Sequence, residues 1–156
     1  MVADDRPRVY ADAVLFIDVL QGGTGAATQS SLQVLEAAER RDIQLVASRL
    51  LAAEVGRSRG DQNRSAVDQL VLRYLDNVAA EWVEVDLLVA RDARRLSWQH
   101  NIKSGADSVH LATAVRRRAD YFMSRDGAFP YGVRVDDVTD VTLPRVVWTP
   151  TLYDQG

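Results

Sequence analysis

Cysteine is absent from the 156-residue chain, which excludes a disulfide framework, a zinc–thiolate centre and a thiol nucleophile, and allows a reducing compartment. Histidine is scarce, with His100 and His110 too few for a histidine-rich metal centre. The four prolines, Pro7, Pro130, Pro144 and Pro150, lie near the two ends, so the body of the chain is free to form regular structure. No stretch approaches the roughly 18 uninterrupted apolar residues of a membrane span, and two aspartates in MVADDRPRVY precede the first apolar run, so the sequence reads as cytoplasmic. An excess of positive charge is also missing. Nineteen basic side chains stand against 22 acidic ones, for a net charge of −3, which argues against a general basic surface that coats duplex nucleic acid. A nuclease is still allowed, because it gathers carboxylates around a cation that reverses the local charge.

What is present is 47% hydrophobic and 26% charged residues, the composition of one domain able to bury a core. Val9 to Ile17 is rich in strand formers and reads as strand, then a turn or short helix, before the Gly22–Gly25 loop. Ser30 or Ser31 can cap a helix to about Arg41. Ile43 to Ala47 reads as a buried strand, after which Ser48 caps a helix through Leu50, Leu51 and Val55. Arg57 to Asn63 is a polar loop, and Ser65 to Ala80 is amphipathic, with Val67, Leu70, Val71, Tyr74 and Leu75 on one face. Trp82 to Val85 reads as a brief strand. Asp86 caps a helix with Val89, Ala90, Ala93 and Leu96 inward. Gly105 and Ala106 introduce another helix to about Arg118, Tyr121 to Ser124 is a strand, and Val133–Val135 and Val146–Trp148 read as one or two more. Strands alternating with helices imply an α/β fold with a parallel sheet covered on both faces, and ligands bind such sheets beyond the carboxyl ends of the strands.

Four carboxylates stand where strands end or helices begin. Asp12 lies in an apolar run, where an unpaired carboxylate costs several kcal/mol; a polar strand end or helix cap is the plainer alternative. Glu54 follows Ser48 by six residues, and a solvated helical glutamate is its ordinary role. Asp107 sits in the first turn of its helix, where the dipole favours the ionised form. Asp126 precedes Gly127, a common turn dipeptide. Brought together, such carboxylates would hold a hard divalent cation, and such cations serve phosphate chemistry.

The four segments together resemble the PIN-domain family, and most closely its small VapC-type toxins from bacterial toxin–antitoxin pairs. VYADAVLFID matches the family's first strand, which ends in a catalytic aspartate, at Asp12. SRLLAAEV matches its Ser-x-x-x-x-x-Glu segment, giving Ser48 and Glu54. DSVHLATA matches its Asp-x-x-His-Leu-Ala-x-Ala helix, giving Asp107 with His110 as a frequent companion. SRDGAF matches its closing strand, giving Ser124 and Asp126. One departure is Val14, where the family usually has a small polar residue that helps orient the first carboxylate or its metal-bound water.

The resemblance implies a three-layer α/β/α domain over 9–136 around a mostly parallel sheet of four to five strands. Residues 1–8 then form an N-terminal extension, and 137–156 a C-terminal one that adds a strand or a partner contact. It further implies that Asp12, Asp107, Glu54 and Asp126 hold Mg²⁺ or Mn²⁺, with Asp12 and Asp107 the main ligands and Ser124 holding a water or the scissile phosphate. The activity implied is hydrolysis of single-stranded or looped RNA by a homodimeric toxin neutralised by a small antitoxin. Arg49, Arg57, Arg59 and Arg125 are the candidate phosphate contacts, each with an ordinary surface role as its alternative. A catalytically weakened PIN-like module that binds RNA or protein without cleaving is the other reading, and Val14 motivates it.

Overall fold

A computed structural model describes residues 4–55, 69, 72–77 and 81–149. Its six strands are β1 (Arg8–Ala11), β2 (Gln44–Ser48), β3 (Glu81–Val83), β4 (Tyr121–Met123), β5 (Arg134–Val135) and β6 (Thr139–Thr142). The helical elements are α1 (Ala13–Gln21), α2 (Ala26–Glu39), α3 (Arg49–Val55), a single π-helical turn α4 (Leu72–Asp76), α5 (Leu87–His100) and α6 (Gly105–Arg116). The strands form one sheet in the order β3-β2-β1-β4-β6-β5, parallel throughout except for the antiparallel β5–β6 pair.

Alternation along the inner strands sorts the side chains into two cores. Val9, Ala11, Leu45, Ala47 and Met123 pack on one face with Leu15 and Phe16 of α1 and Val34 and Leu35 of α2. Tyr10, Val46 and Phe122 pack on the other with Val89, Ala93 and Leu96 of α5 and Leu111 and Val115 of α6. Both faces are covered, which is why the inner strands read as continuous apolar runs rather than alternating ones. The register Val46–Tyr10–Phe122 crosses the middle of the sheet, and Tyr10 stacks on Phe122 with ring centroids 5.4 Å apart.

The chain leaves β1 for β2 and β3 on one side, then returns to place β4 on the other side of β1. Strand order therefore reverses between β1 and β4, and the loops leaving their carboxyl ends diverge to open a crevice. Asp12 follows β1, and Ser124 to Asp126 follow β4.

The strand and following short helix expected over Val9 to Ile17 are present, with the boundary at Asp12: β1 stops at Ala11 and Ala13 to Ile17 belong to α1, where Leu15 and Phe16 are buried as neighbours on a helix. Helix α1 ends at Gly22, whose φ of 66° suits glycine. Several elements differ from the sequence reading. Helix α2 starts at Ala26, before the expected serine cap: Ser30 donates to the Ala26 carbonyl from inside the helix, and Ser31 is buried. Ala90 of α5 is exposed, leaving Val89, Ala93 and Leu96 as the inward stripe. Val146 to Trp148 is not a strand; Trp148 instead packs into the α1–α2 core. The sixth strand is Thr139–Thr142, whose alternating pattern buries Thr139 and Val141. The 57–63 loop and most of the 65–80 amphipathic segment lie outside the described residues, though Tyr74 and Leu75 are buried as expected.

Asp86 caps α5, accepting from the Val89 N–H at 2.9 Å. Ser104 caps α6, accepting from the Asp107 N–H at 3.4 Å. No helix among the described residues is long and apolar enough to cross a membrane.

Candidate metal and phosphate site

Asp12 is the residue between β1 and α1. Its N–H continues the sheet by donating to the Met123 carbonyl at 3.0 Å, while its side chain, 5% exposed, accepts from Ser124 Oγ at 2.8 Å through Oδ2. Burial pushes the Asp12 carboxyl above the ordinary carboxylate range, against the opposing influence of His110 and the Ser124 hydrogen bond. Ser124 is itself fully buried and accepts from the Asp126 N–H at 3.1 Å. One hydroxyl thus joins the first carboxylate to the backbone of the last.

Asp126 turns its own loop, accepting from the Ala128 N–H at 3.1 Å, and its carbonyl accepts from the Tyr131 hydroxyl at 2.6 Å. Asp107 stands in the first turn of α6. Its carboxyl is raised by burial, then by the negative charges of Asp126 and Asp12. Like charges held this close disfavour one another's ionised forms.

Glu54, near the end of α3, receives a hydrogen bond at Oε2 from His110 Nε2, 2.7 Å away. The other ring nitrogen of His110 lies 2.5 Å from the Tyr10 hydroxyl. An ionised glutamate only accepts, so Nε2 carries a proton, and in the neutral ring Nδ1 accepts from Tyr10. Both Tyr10 and His110 are fully buried. Burial drives the Tyr10 hydroxyl well above its usual titration range, with the Asp12 and Glu54 charges adding to the effect.

All four carboxylates line one cleft of about 700 Å³, together with Ala13, Val14, Ile17, Leu20, Gln21 and Val55. One ligand atom from each of Asp12, Glu54 and His110 lies within 4.8 Å of the others. The donor set is oxygen-rich, and His110 Nε2 is already engaged by Glu54. Four carboxylates, from buried Asp12 through half-buried Glu54 and Asp107 to exposed Asp126, face one cleft with no basic side chain among its described lining residues, a fit for a hard divalent ion.

The PIN domain family pattern matches residues 9–131, which spans all four carboxylates. The chain is a PIN domain protein. Solved structures give the same fold. FitAcB from Neisseria gonorrhoeae superposes with a TM-score of 0.61 at 18% identity, covering 87% of this chain and 97% of that one. VapC20 of Mycobacterium tuberculosis, a Sarcin-Ricin loop cleaving toxin, gives a TM-score of 0.57 at 18% identity over 76% and 90% of the two chains. VapBC2 from Rickettsia felis, bound to a DNA fragment from its promoter, gives 0.54 at 15% identity over 76% and 87%. No curated protein matches.

Two of the four arginines expected near the PIN cleft, Arg49 and Arg125, are described, and both have partners. Arg49 pairs with Glu84 at 3.1 Å and lies over the Trp82 ring at 4.8 Å. Arg125 pairs with Asp18 on α1. Arg57 and Arg59 lie outside the described residues. Sequence reasoning missed Tyr10, Tyr131, Asp18 and Ser31. For Tyr10 a signal existed, since a tyrosine two residues before Asp12 on the same strand points to the face that α6 covers; for Tyr131 and the Asp18–Ser31 pair no local pattern pointed to the site.

Proposed function

We propose that this PIN domain is a metal-dependent endoribonuclease acting on single-stranded or looped RNA, and that it is the toxin of a toxin–antitoxin pair. The supporting observation is the convergence of Asp12, Glu54, Asp107 and Asp126 on one cleft at the strand-order reversal. In this reading Asp12 and Asp107 are the main ligands of Mg²⁺ or Mn²⁺, and Glu54 and Asp126 complete the set. A hard divalent cation bound there lowers the pKa of a bound water and neutralises charge developing on the phosphoryl oxygens.

The protein's own groups prepare that chemistry. Ser124 holds one Asp12 oxygen by donating to it, which leaves the second oxygen to face the cleft. His110 holds Glu54 in the same way: the glutamate fixes the proton on Nε2, and Tyr10 satisfies Nδ1. Single-stranded or looped RNA suits the site, because a flexible backbone can bend into a cleft that a duplex cannot enter. Arg49, with its side chain 56% exposed, and Arg57 are the proposed phosphate contacts.

VapC20 is a toxin that cleaves the Sarcin-Ricin loop, and FitAB and VapBC2 are complexes bound to DNA. Their likeness in fold motivates a small antitoxin partner here; a homodimer in the cytoplasm completes the proposal. The test is cleavage of a labelled RNA hairpin and its single-stranded counterpart by purified protein with Mn²⁺ or Mg²⁺. Wild type should cleave, and Asp12→Asn and Asp107→Asn should not; equal cleavage by both variants would sink the proposal. Val14 in the cleft lining favours a second reading, a weakened module that binds RNA or a protein without cutting. That reading expects RNA retention without products at any metal concentration.

A further inference from the structure

Asp18 is a buried carboxylate in the last turn of α1, where the helix dipole disfavours an anion. Two contacts offset that cost: Ser31 Oγ of α2 donates to Asp18 Oδ2 at 2.8 Å, and the Arg125 guanidinium forms an ion pair with the same oxygen. Arg125 gives up something in return, since its Nε is buried without a hydrogen-bond partner among the described residues. A side chain 30% exposed could turn to water and satisfy every donor, so the Asp18 charge is what keeps the guanidinium folded inward.

Arg125 is the middle residue of the segment that carries the cleft's serine and last aspartate. We infer that Asp18 is a positioning residue for the cleft, clamping Arg125 so that the Ser124–Asp126 segment is fixed against α1. The segment is then tied to α1 at two places. At the start of the helix, Ser124 donates to Asp12 and the Asp12 N–H donates to Met123; about one and a half turns on, Arg125 meets Asp18. One attachment would leave a hinge at Ser124. Two hold Asp126 at a set distance from Asp12, as a shared ion requires. The metal consequence rests on the ribonuclease reading above, whereas the clamp itself concerns only the order of the segment.

The experiment compares Asp18→Asn with Ser31→Ala by amide exchange and by Mn²⁺ titration. Ser31→Ala removes a contact in the same buried spot but leaves the ion pair. In Asp18→Asn the Asp126 and Ala128 amides should exchange about tenfold faster while the Leu111 amide in α6 is unchanged, and in Ser31→Ala all three should stay near wild type. Apparent Mn²⁺ affinity should fall about tenfold in Asp18→Asn only. Wild-type exchange at Asp126 in Asp18→Asn, or equal acceleration at Leu111, overturns the clamp; a loosened segment with unchanged Mn²⁺ affinity overturns its positioning role. If wild type binds no Mn²⁺, the metal reading fails and the exchange data still decide the clamp. Should Asp18→Asn not fold, Arg125→Gln at the more exposed partner must loosen the same two amides, and failure to do so overturns the inference.

Discussion

His110 Nε2 lies 2.7 Å from Glu54 Oε2, and the His110 ring is wholly buried while the glutamate is half-buried at the cleft wall. The histidine is therefore an internal support for a carboxylate at the cleft wall. Because Tyr10 occupies Nδ1 at 2.5 Å, the support has three members. Tyr10→Phe removes one buried hydrogen bond and should cost about 1 to 2 kcal/mol in urea unfolding. Glu54 should keep the proton on Nε2, so the variant should change mainly the Nδ1 ¹⁵N shift, which loses its donor. A Tyr10→Phe protein with a wild-type Nδ1 shift would show that Tyr10 does not donate to that nitrogen. His110→Ala adds a cavity and strands both partners, so a larger loss, about 3 kcal/mol, is expected.

Stability of the metal-free protein should depend on pH in a direction opposite to that of a salt-bridged carboxylate. Asp12 is raised above 3.8 chiefly by burial, and Asp107 by burial and then by Asp126 and Asp12. A carboxyl whose pKa is higher in the folded chain holds its proton more tightly there, so the folded state carries more protons than the unfolded one across that interval. The stabilising contribution is whole below the unfolded value and is lost as pH rises through the folded values. Urea midpoints in EDTA should thus fall from about pH 4 toward neutrality as far as these two groups contribute, and Asp107→Asn should flatten the slope. A steeper slope in Asp107→Asn would refute the assignment.

Mn²⁺ should reverse that loss. Present at about one hundred times its Kd, it should add about 2.7 kcal/mol to wild type, because only the folded cleft binds it. Asp107→Asn should be a little more stable than wild type in EDTA, since one repelling charge is gone, yet gain little from Mn²⁺. The pair of thermal scans separates a metal ligand from a capping residue: a mere cap would lose stability in EDTA and keep the full Mn²⁺ increment.

A control outside the cleft lining follows from the cap of α5. Asp86 accepts from the Val89 N–H, and Asp86→Ala should cost about 1 kcal/mol with no change in Mn²⁺ affinity. A parallel loss of affinity would mean that the cleft responds to general loosening of the fold.

The sequence carried the site better than it carried the edges of the fold. Taken singly, Asp12, Glu54, Asp107 and Asp126 each have an ordinary role; the four segments read together as PIN-like pointed to one pocket, and parallel topology brings them to one cleft. The strand Thr139–Thr142 was missed because its inward residues, Thr139 and Val141, are few and half polar, whereas the more apolar Val146–Trp148 run packs without pairing. The start of α2 was missed because Gly25 takes the cap position with no side-chain signal. Asp18 and Arg125 are 107 positions apart, and nothing local marks either as the other's partner; only the strand order that sets β4 beside β1 does so.

Val14 offers the sharpest test of how active the cleft is. It lines the cleft one residue beyond Ala13, at the position where a small polar side chain would help hold the Asp12 carboxylate or a water. Val14→Thr keeps the shape of the side chain and changes one methyl to a hydroxyl; Val14 is half-buried on α1 at the cleft wall, where that hydroxyl can reach water, so the helix should keep its packing at small cost. One added hydrogen bond formed as charge develops is worth about 1.4 kcal/mol at most, or about a tenfold rise in rate. Val14→Ala opens space without adding a donor and serves as the comparison. Initial rates of RNA cleavage in Mn²⁺ should therefore rank Val14→Thr above wild type and Val14→Ala at or below it. If the threonine variant is no faster than the alanine variant, the missing hydroxyl is not what limits this cleft, and any weakness of the enzyme must lie in how Asp126 or Glu54 is held.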